Sequence, residues 1–169
     1  MAQEIERKFL VVNETWRPGA TALPIRQGYI PTRNARTVRV RVVGEQGYLT
    51  LKGPAVGLVR PEFEYPIPLG DAETILATLC EPPLIEKYRY RIPAGEVVWE
   101  IDEFLGVNQG LIIAEVELAS PSQVIALPTW VGLEVTHDPR YLNANLARHP
   151  FTQWRSGADG EGSSAPAIG

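Results

Sequence analysis

The sequence predicts a mainly β fold, an antiparallel sheet that curls or closes with a few helices beside it, from three observations. Residues 3–12 alternate with a period of two, placing Glu4, Glu6 and Lys8 on one face and Ile5, Phe9 and Val11 on the other, with Arg7 an outlier there. The same alternation recurs in nearly every later candidate strand. Only one segment, 71–80, carries a helical stripe of any length, and short strands with one long helix argue for such a sheet.

Residues 13–23 carry Pro18 and Gly19 and read as a connection. A second strand covers 25–30, between Pro24 and Pro31. Over 36–43, Val38, Val40 and Val42 alternate with Arg39 and Arg41, and Gly44-Glu45-Gln46-Gly47 turns the chain into a strand over 48–52. Gly53, Pro54 and Gly57 lead to 59–65, where Pro61, with Pro66 and Pro68 beyond, marks an edge, a bulge or a strand limit. In the helix over 71–80, Asp71 is the expected N-cap and Ile75, Leu76 and Leu79 the apolar stripe. Strands resume over 84–92, 97–104 and 111–118. In them Lys87, Arg89 and Arg91 alternate with Glu86, Tyr88 and Tyr90, Glu100 and Asp102 with Trp99, Ile101 and Glu103, and Glu115 and Glu117 with Ala114, Val116 and Leu118. A late segment over 130–136 precedes a short closing helix over 140–149.

The 169 residues fit one domain, expected over 1–151, followed by a Gly/Ser-rich tail over 152–169 that cannot build a core and is expected to be mobile. A net charge of −4 gives no basic field for nucleic acid or a membrane surface. The single Cys80 excludes an internal disulfide, and no apolar run approaches the ~20 residues of a membrane span. Early charges leave no signal-peptide pattern, so the expected compartment is the cytoplasm.

The charged strand faces collect the acids Glu4, Glu6, Glu62, Glu64, Glu100, Asp102, Glu115 and Glu117 and the bases Lys8, Arg39, Arg41, Lys52, Lys87 and Arg89. Two architectures are consistent with this. One is a sheet with a solvated face whose charges pair across strands. The other is a barrel of about eight strands lined with charge and wide enough for a small ligand. Burying that many ions is costly, so such a lining implies a charged guest: a polyanion on the bases, with divalent cations held by the acids. Carboxylates without a Cys/His set point to Mg2+ or Mn2+ and away from zinc.

The opening Glu4-Ile5-Glu6-Arg7-Lys8 resembles the ExExK signature of the CYTH superfamily, the triphosphate tunnel metalloenzymes. The likeness continues through Arg39-Val40-Arg41, Leu51-Lys52, Glu62-Phe63-Glu64, Lys87-Tyr88-Arg89-Tyr90, Glu100-Ile101-Asp102 and Glu115-Val116-Glu117, and into 132–136 and 138–141. It covers nearly all of the chain except the tail and is greatest to the bacterial inorganic triphosphatases.

The resemblance implies a closed, eight-stranded antiparallel tunnel with a charged interior that hydrolyses triphosphate with Mg2+ or Mn2+. By matching positions, Lys8, Arg39, Arg41, Lys52 and Arg89 would clamp phosphates, and Glu4, Glu6, Glu115 and Glu117 would hold metal. Glu62, Glu64, Glu100 and Asp102 would orient the bases by pairing or complete a second metal site. Lys87, a lysine among cations, would lose its proton readily, and Tyr29 would sit beside it to position or activate water. Arg26 and Arg91 read as rim charges, His137 and His149 as surface or helix-end residues, Cys80 and Trp130 as packing residues, and Tyr141 and Asn143 as a seal at one tunnel end. The expected partner is a small-molecule triphosphate, with no nucleic acid or membrane, and the resemblance also suggests a homodimer. An adenylate cyclase, a nucleoside or thiamine triphosphatase, and a non-catalytic polyphosphate-binding module are the alternatives.

Overall fold

Strands with one apolar and one charged face can shelter both if the sheet closes on itself, and this chain does so. The computed structural model describes residues 3–154. In chain order these form β1 (Gln3–Val11), β2 (Leu23–Ile30), β3 (Thr37–Val43), β4 (Gln46–Lys52), β5 (Val59–Ile67), α1 (Leu69–Thr78), β6 (Ile85–Ala94), β7 (Val97–Phe104), β8 (Ile112–Glu117), β9 (Val131–Glu134) and α2 (Asn143–Arg148), with short 3-10 turns between the later elements. The sheet order is β5-β4-β3-β2-β6-β7-β8-β1-β9. β5 returns to β1 through Gln3↔Pro61, Glu4↔Arg60 and Ile5↔Val59, so eight antiparallel strands close a barrel. β9 lies outside that ring and takes the rest of the β1 edge, from Phe9↔Glu134 to Val11↔Val131. Arg7 points outward here, ion-paired with Glu134 of β9 at 2.7 Å, which accounts for a charge on the apolar face.

Two apolar layers cover the outside of the barrel. Phe9, Trp99, Ile101, Ala114, Val116 and Trp130 form one, where Trp99 meets Phe9 and Trp130 edge-on at 5.6 and 5.4 Å. The other seats α1 on Val40 and Val42 through Ala72, Leu76 and Cys80. Gly28 and Gly47 permit that approach: a Cβ on Gly28 would stand 2.7 Å from Leu84 Cδ2, and one on Gly47 would stand 2.8 Å from the Ala72 Cβ. A third cluster is internal. Ile85, Phe104 and Ile113 share strand parity with Lys87, Asp102 and Glu115, and with Leu146 of α2 they plug one end of the barrel.

Several boundaries differ from expectation. α1 starts at Leu69 behind Pro68, which ends β5, and Asp71 lies in its first turn without a side-chain cap. Its buried stripe runs through Ala72, Leu76 and Cys80, while Leu79 is 58% exposed, because the core-facing line follows the i, i+4 direction here. Pro61 and Pro66 lie within β5, the strand that passes from β4 to the seam with β1. The closing helix divides into a 3-10 turn over Pro139–Tyr141 and α2. Beyond it, Phe151 and Tyr141 pack edge-on against Trp154 at 5.1 and 5.2 Å. The rest of the expected tail lies outside the described residues. No helix among them is long and apolar enough to cross a membrane.

Candidate active site

Cross-strand register carries the charged faces into the barrel. Arg39 opposes Thr50, which opposes Glu64; Lys52 opposes Glu62; Arg89 opposes Asp102; Glu100 and Lys8 both oppose Glu115; and Glu6 opposes Glu117. These side chains enclose a cavity of about 710 Å3. Glu4, Glu6, Lys8, Tyr29, Arg39, Arg41, Lys52, Glu62, Glu64, Lys87, Arg89, Glu100, Glu115 and Glu117 all line it. The charged faces thus meet around one chamber, with Glu64 and Glu117 the more solvent-exposed of its acids.

The lining is held by ion pairs. Lys52 Nζ bonds Glu4 at 3.0 Å and reaches Glu62 at 3.7 Å. Lys8 Nζ pairs with Glu115 at 3.3 Å and donates to the Tyr141 carbonyl at 3.0 Å. Arg89 forks onto both oxygens of Asp102 at 2.8 Å and pairs with Glu100 at 3.2 Å. Lys87 Nζ lies 2.8 Å from Asp102 and donates to Asn143 Oδ1 at 2.8 Å. Asp102 therefore sits beneath Lys87 and Arg89 and does not line the cavity; it pairs with the bases.

The pairing leaves opposite imbalances on two walls. On the β3 side, Arg39 and Arg41 share one carboxylate, Glu64, at 3.5 and 3.3 Å, and the Nε atom of each is buried without an acceptor. Burial and the charges of Arg39 and Arg89 push Arg41 down to about 10. On the β1 and β8 side the excess is negative. Burial, with repulsion from Glu115 and Glu4, pushes the Glu6 carboxyl up to about 8. Glu117 is likewise raised by burial and by Glu4, Glu62 and Glu100. Buried donors without acceptors call for an anion, and crowded carboxylates call for a cation.

The acids fit a hard divalent cation by donor chemistry, since all are carboxylate oxygens. Among the described residues no three acids, histidines or cysteines form a ready-made cage. Glu4 and Glu115 are held instead by Lys52 and Lys8, so a metal would have to draw them from those partners.

Burial is the largest influence on Lys87, and with the Arg89 charge it pushes the ammonium down to about 8 against the pull of Asp102 and Glu115. Burial also opposes the charge on Lys8, but Glu115 and Glu6 outweigh it and hold that lysine above its ordinary value. Lys8 and Lys87, two of the three lysines of one chamber, are thus driven apart. Tyr29 reaches Lys87 indirectly: Gln27 Nε2 donates to the Tyr29 hydroxyl at 2.7 Å and to Asn143 Oδ1 at 3.5 Å.

Arg91 is a rim charge, paired with Glu100 at 3.1 Å with its side chain 62% exposed. Arg26 is not. It lies on the outer face of β2 and pairs with Glu73 of α1 at 2.6 Å, as its parity opposite to Gln27 requires. His137, read as outside the site, stands at the cavity rim. Gln27, Thr50 and Arg60 were also missed, although each shares strand parity with a chosen neighbour: Tyr29, Lys52 and Glu62 respectively.

Residues 2–150 match the CYTH domain. The chain is 48% identical over 155 residues to an inorganic triphosphatase from Acetivibrio thermocellus, covering 92% of this chain and 99% of that protein. It is 40% identical over 150 residues to an inorganic triphosphatase from Nitrosomonas europaea, covering 85% of this chain and 96% of that protein. A crystal structure of an inorganic triphosphatase matches the fold with a TM-score of 0.62 at 35% identity, over 85% of this chain and 96% of that one.

Proposed function

The chain belongs to the CYTH domain family, and from that premise we propose that it hydrolyses inorganic triphosphate to diphosphate and phosphate with Mg2+ or Mn2+. The observation that carries this reading is the opposite imbalance of the two walls, one short of an anion and the other of a cation. A metal-bound polyphosphate corrects both at once. The metal, when bound, would neutralise charge on the phosphoryl oxygens. Glu4, Glu6, Glu115 and Glu117 would hold it.

Arg39, Arg41, Lys8, Lys52 and Arg89 bind the phosphate oxygens in this reading. Arg39 and Arg41 offer their guanidinium groups to the anion, while Glu62, Glu64 and Glu100 keep the bases aligned. Lys87 acts as general base and Tyr29 as a hydroxyl donor to the nucleophile or a phosphoryl oxygen. A water oxygen forms a bond to the terminal phosphorus and its proton passes to Lys87 Nζ. The bridging P–O bond breaks, and its electron pair leaves with diphosphate. Donors fixed in a closed chamber stabilise the spreading charge without having to reorganise.

Lys87 must be neutral to accept that proton, and its value of about 8 sets the sign of the pH dependence. Below it the ammonium predominates and cannot serve as a base. kcat/KM is therefore expected to climb about tenfold per unit on approaching the Lys87 value from below and to level off above it. A profile that stays flat through that range would remove Lys87 from the role.

The deciding assay offers tripolyphosphate and ATP separately with Mg2+ or Mn2+ and measures phosphate and cyclic AMP. Phosphate release from tripolyphosphate is expected, and it should stop when a chelator removes the metal. Cyclic AMP from ATP with no phosphate from tripolyphosphate overturns the reading in favour of a cyclase, and binding without turnover overturns it in favour of a polyphosphate-binding module.

A further inference from the structure

Asn143 is the first residue of α2 and supplies one of the two polar side chains that hold Lys87. Lys87 Nζ lies 2.8 Å from Asp102 Oδ2 and 2.8 Å from Asn143 Oδ1, and Lys87 is only 2% exposed. We propose that Asn143 is a positioning residue which, with Asp102, fixes two Nζ protons of Lys87 so that the position exchanging a proton with water faces the cavity. This rests on the reading of Lys87 as the general base.

The argument is one of valence. A neutral amine keeps two N–H bonds and one lone pair. An ionised Asp102 and a carboxamide oxygen can only accept, so each retains an N–H and the lone pair takes the remaining tetrahedral direction. Lys87 is among the residues that line the chamber, and the remaining direction would be the one offered to a water within it. With Asp102 alone, rotation about Cε–Nζ leaves two directions for the lone pair. The orientation of the Asn143 amide is also determined. Gln27 Nε2 donates to the same oxygen at 3.5 Å, and a flipped amide would set its NH2 against both the ammonium and Gln27. Gln27 donates in turn to the Tyr29 hydroxyl at 2.7 Å, which leaves the Tyr29 proton for a third partner. One carboxamide thus ties the plug helix to both candidate catalytic side chains.

The charges acting on Lys87 are Asp102 from β7, Arg89 from its own strand and Glu115 from β8. Asn143 adds no charge, so its substitution can be read against a fixed background. Asn143→Leu removes the acceptor while keeping the branching of the side chain. It is expected to lower kcat by about 10- to 100-fold with KM within about twofold, as for a misaligned reacting group. Asn143→Asp keeps an acceptor and adds a negative charge, and is expected to raise the pH at which Lys87 loses its proton by about one to three units. That shift is read without metal or substrate from the 13Cε resonance of Lys87, and kcat in this variant should recover at high pH. Recovery of kcat at high pH is the discriminating readout, since a merely structural role would leave Asn143→Asp slow at every pH. Unchanged kcat in both variants, or an unmoved titration in Asn143→Asp, overturns the proposal. Lys87→Met is the separate check on its premise: if that variant keeps its turnover, the base assignment fails and the proposal with it, whereas loss of turnover there beside unaltered Asn143 variants defeats the proposal alone.

Discussion

Lys87→Met is expected to lower kcat by about 10²–10⁴-fold, the usual contribution of a positioned general base, while the protein stays folded. Methionine keeps the apolar stem and its packing against Phe104, whose ring centroid lies 5.4 Å from the lysine nitrogen, and removes only the amine. Asp102 retains both bonds from Arg89, so no buried carboxylate is stranded. The proposed phosphate clamps on β1, β3 and β4 are untouched, and KM should change by no more than a few-fold. Steady-state kinetics with tripolyphosphate, beside a thermal melt, separate the two effects. A variant that melts normally and turns over at the wild-type rate would exclude Lys87 as the proton acceptor.

Asp102→Ala is expected to act on stability first. Asp102 is 1% exposed and is the shared counter-ion of Lys87 and Arg89. Its removal leaves two buried cations with one acceptor fewer than they need, and breaking a buried pair in this way costs about 3–5 kcal/mol. For a chain of this length that corresponds to a fall in Tm of roughly 6–20 °C. The same substitution should change the pH dependence of stability. Burial raises the Asp102 carboxyl, but Arg89 and Lys87 outweigh it and hold its pKa below the ordinary carboxylate range. Since the folded value lies below the unfolded one, the stabilisation is complete above the unfolded pKa of about 4 and drains away as pH falls toward the folded value. Wild type should therefore lose stability in acid more steeply than Asp102→Ala. Parallel denaturation curves from neutral to acid pH would show the assignment to be mistaken.

The strands were legible because period-two alternation survives any tertiary context that leaves the two faces unlike. Val38-Arg39-Val40-Arg41-Val42 is such a case. Closure was not legible from alternation, because a solvated face and a tunnel wall demand the same pattern. What decides between them is the pairing of Gln3–Ile5 with Val59–Pro61 and the apolar cover outside, both of which join residues far apart in sequence. Depth along a strand was hidden for a related reason. Glu100 and Asp102 share parity, yet the second lies two residues nearer the plug and loses its access to the cavity. The inward run Asp102, Phe104 with Ile113 and Ile85 would have marked that depth. Gln27 escaped, and Asn143 was read only as a seal, because a neutral amide carries no charge signal, and Arg26 was drawn in because it carries one. The parity of Arg26 already placed it outside.

β1 holds Glu4, Glu6 and Lys8, and every strand it bonds comes much later: β5 begins at Val59, β8 at Ile112 and β9 at Val131. β1 is thus fully paired only after strands far along the chain are made, and sequence separations of this size make closure a slow step. Until then a nascent chain carries the β3 arginines on an open sheet with two bare edges, the state most exposed to mispairing. A product that stops before β8 lacks the strand that joins β7 to β1, so the chamber and its chemistry wait for that strand.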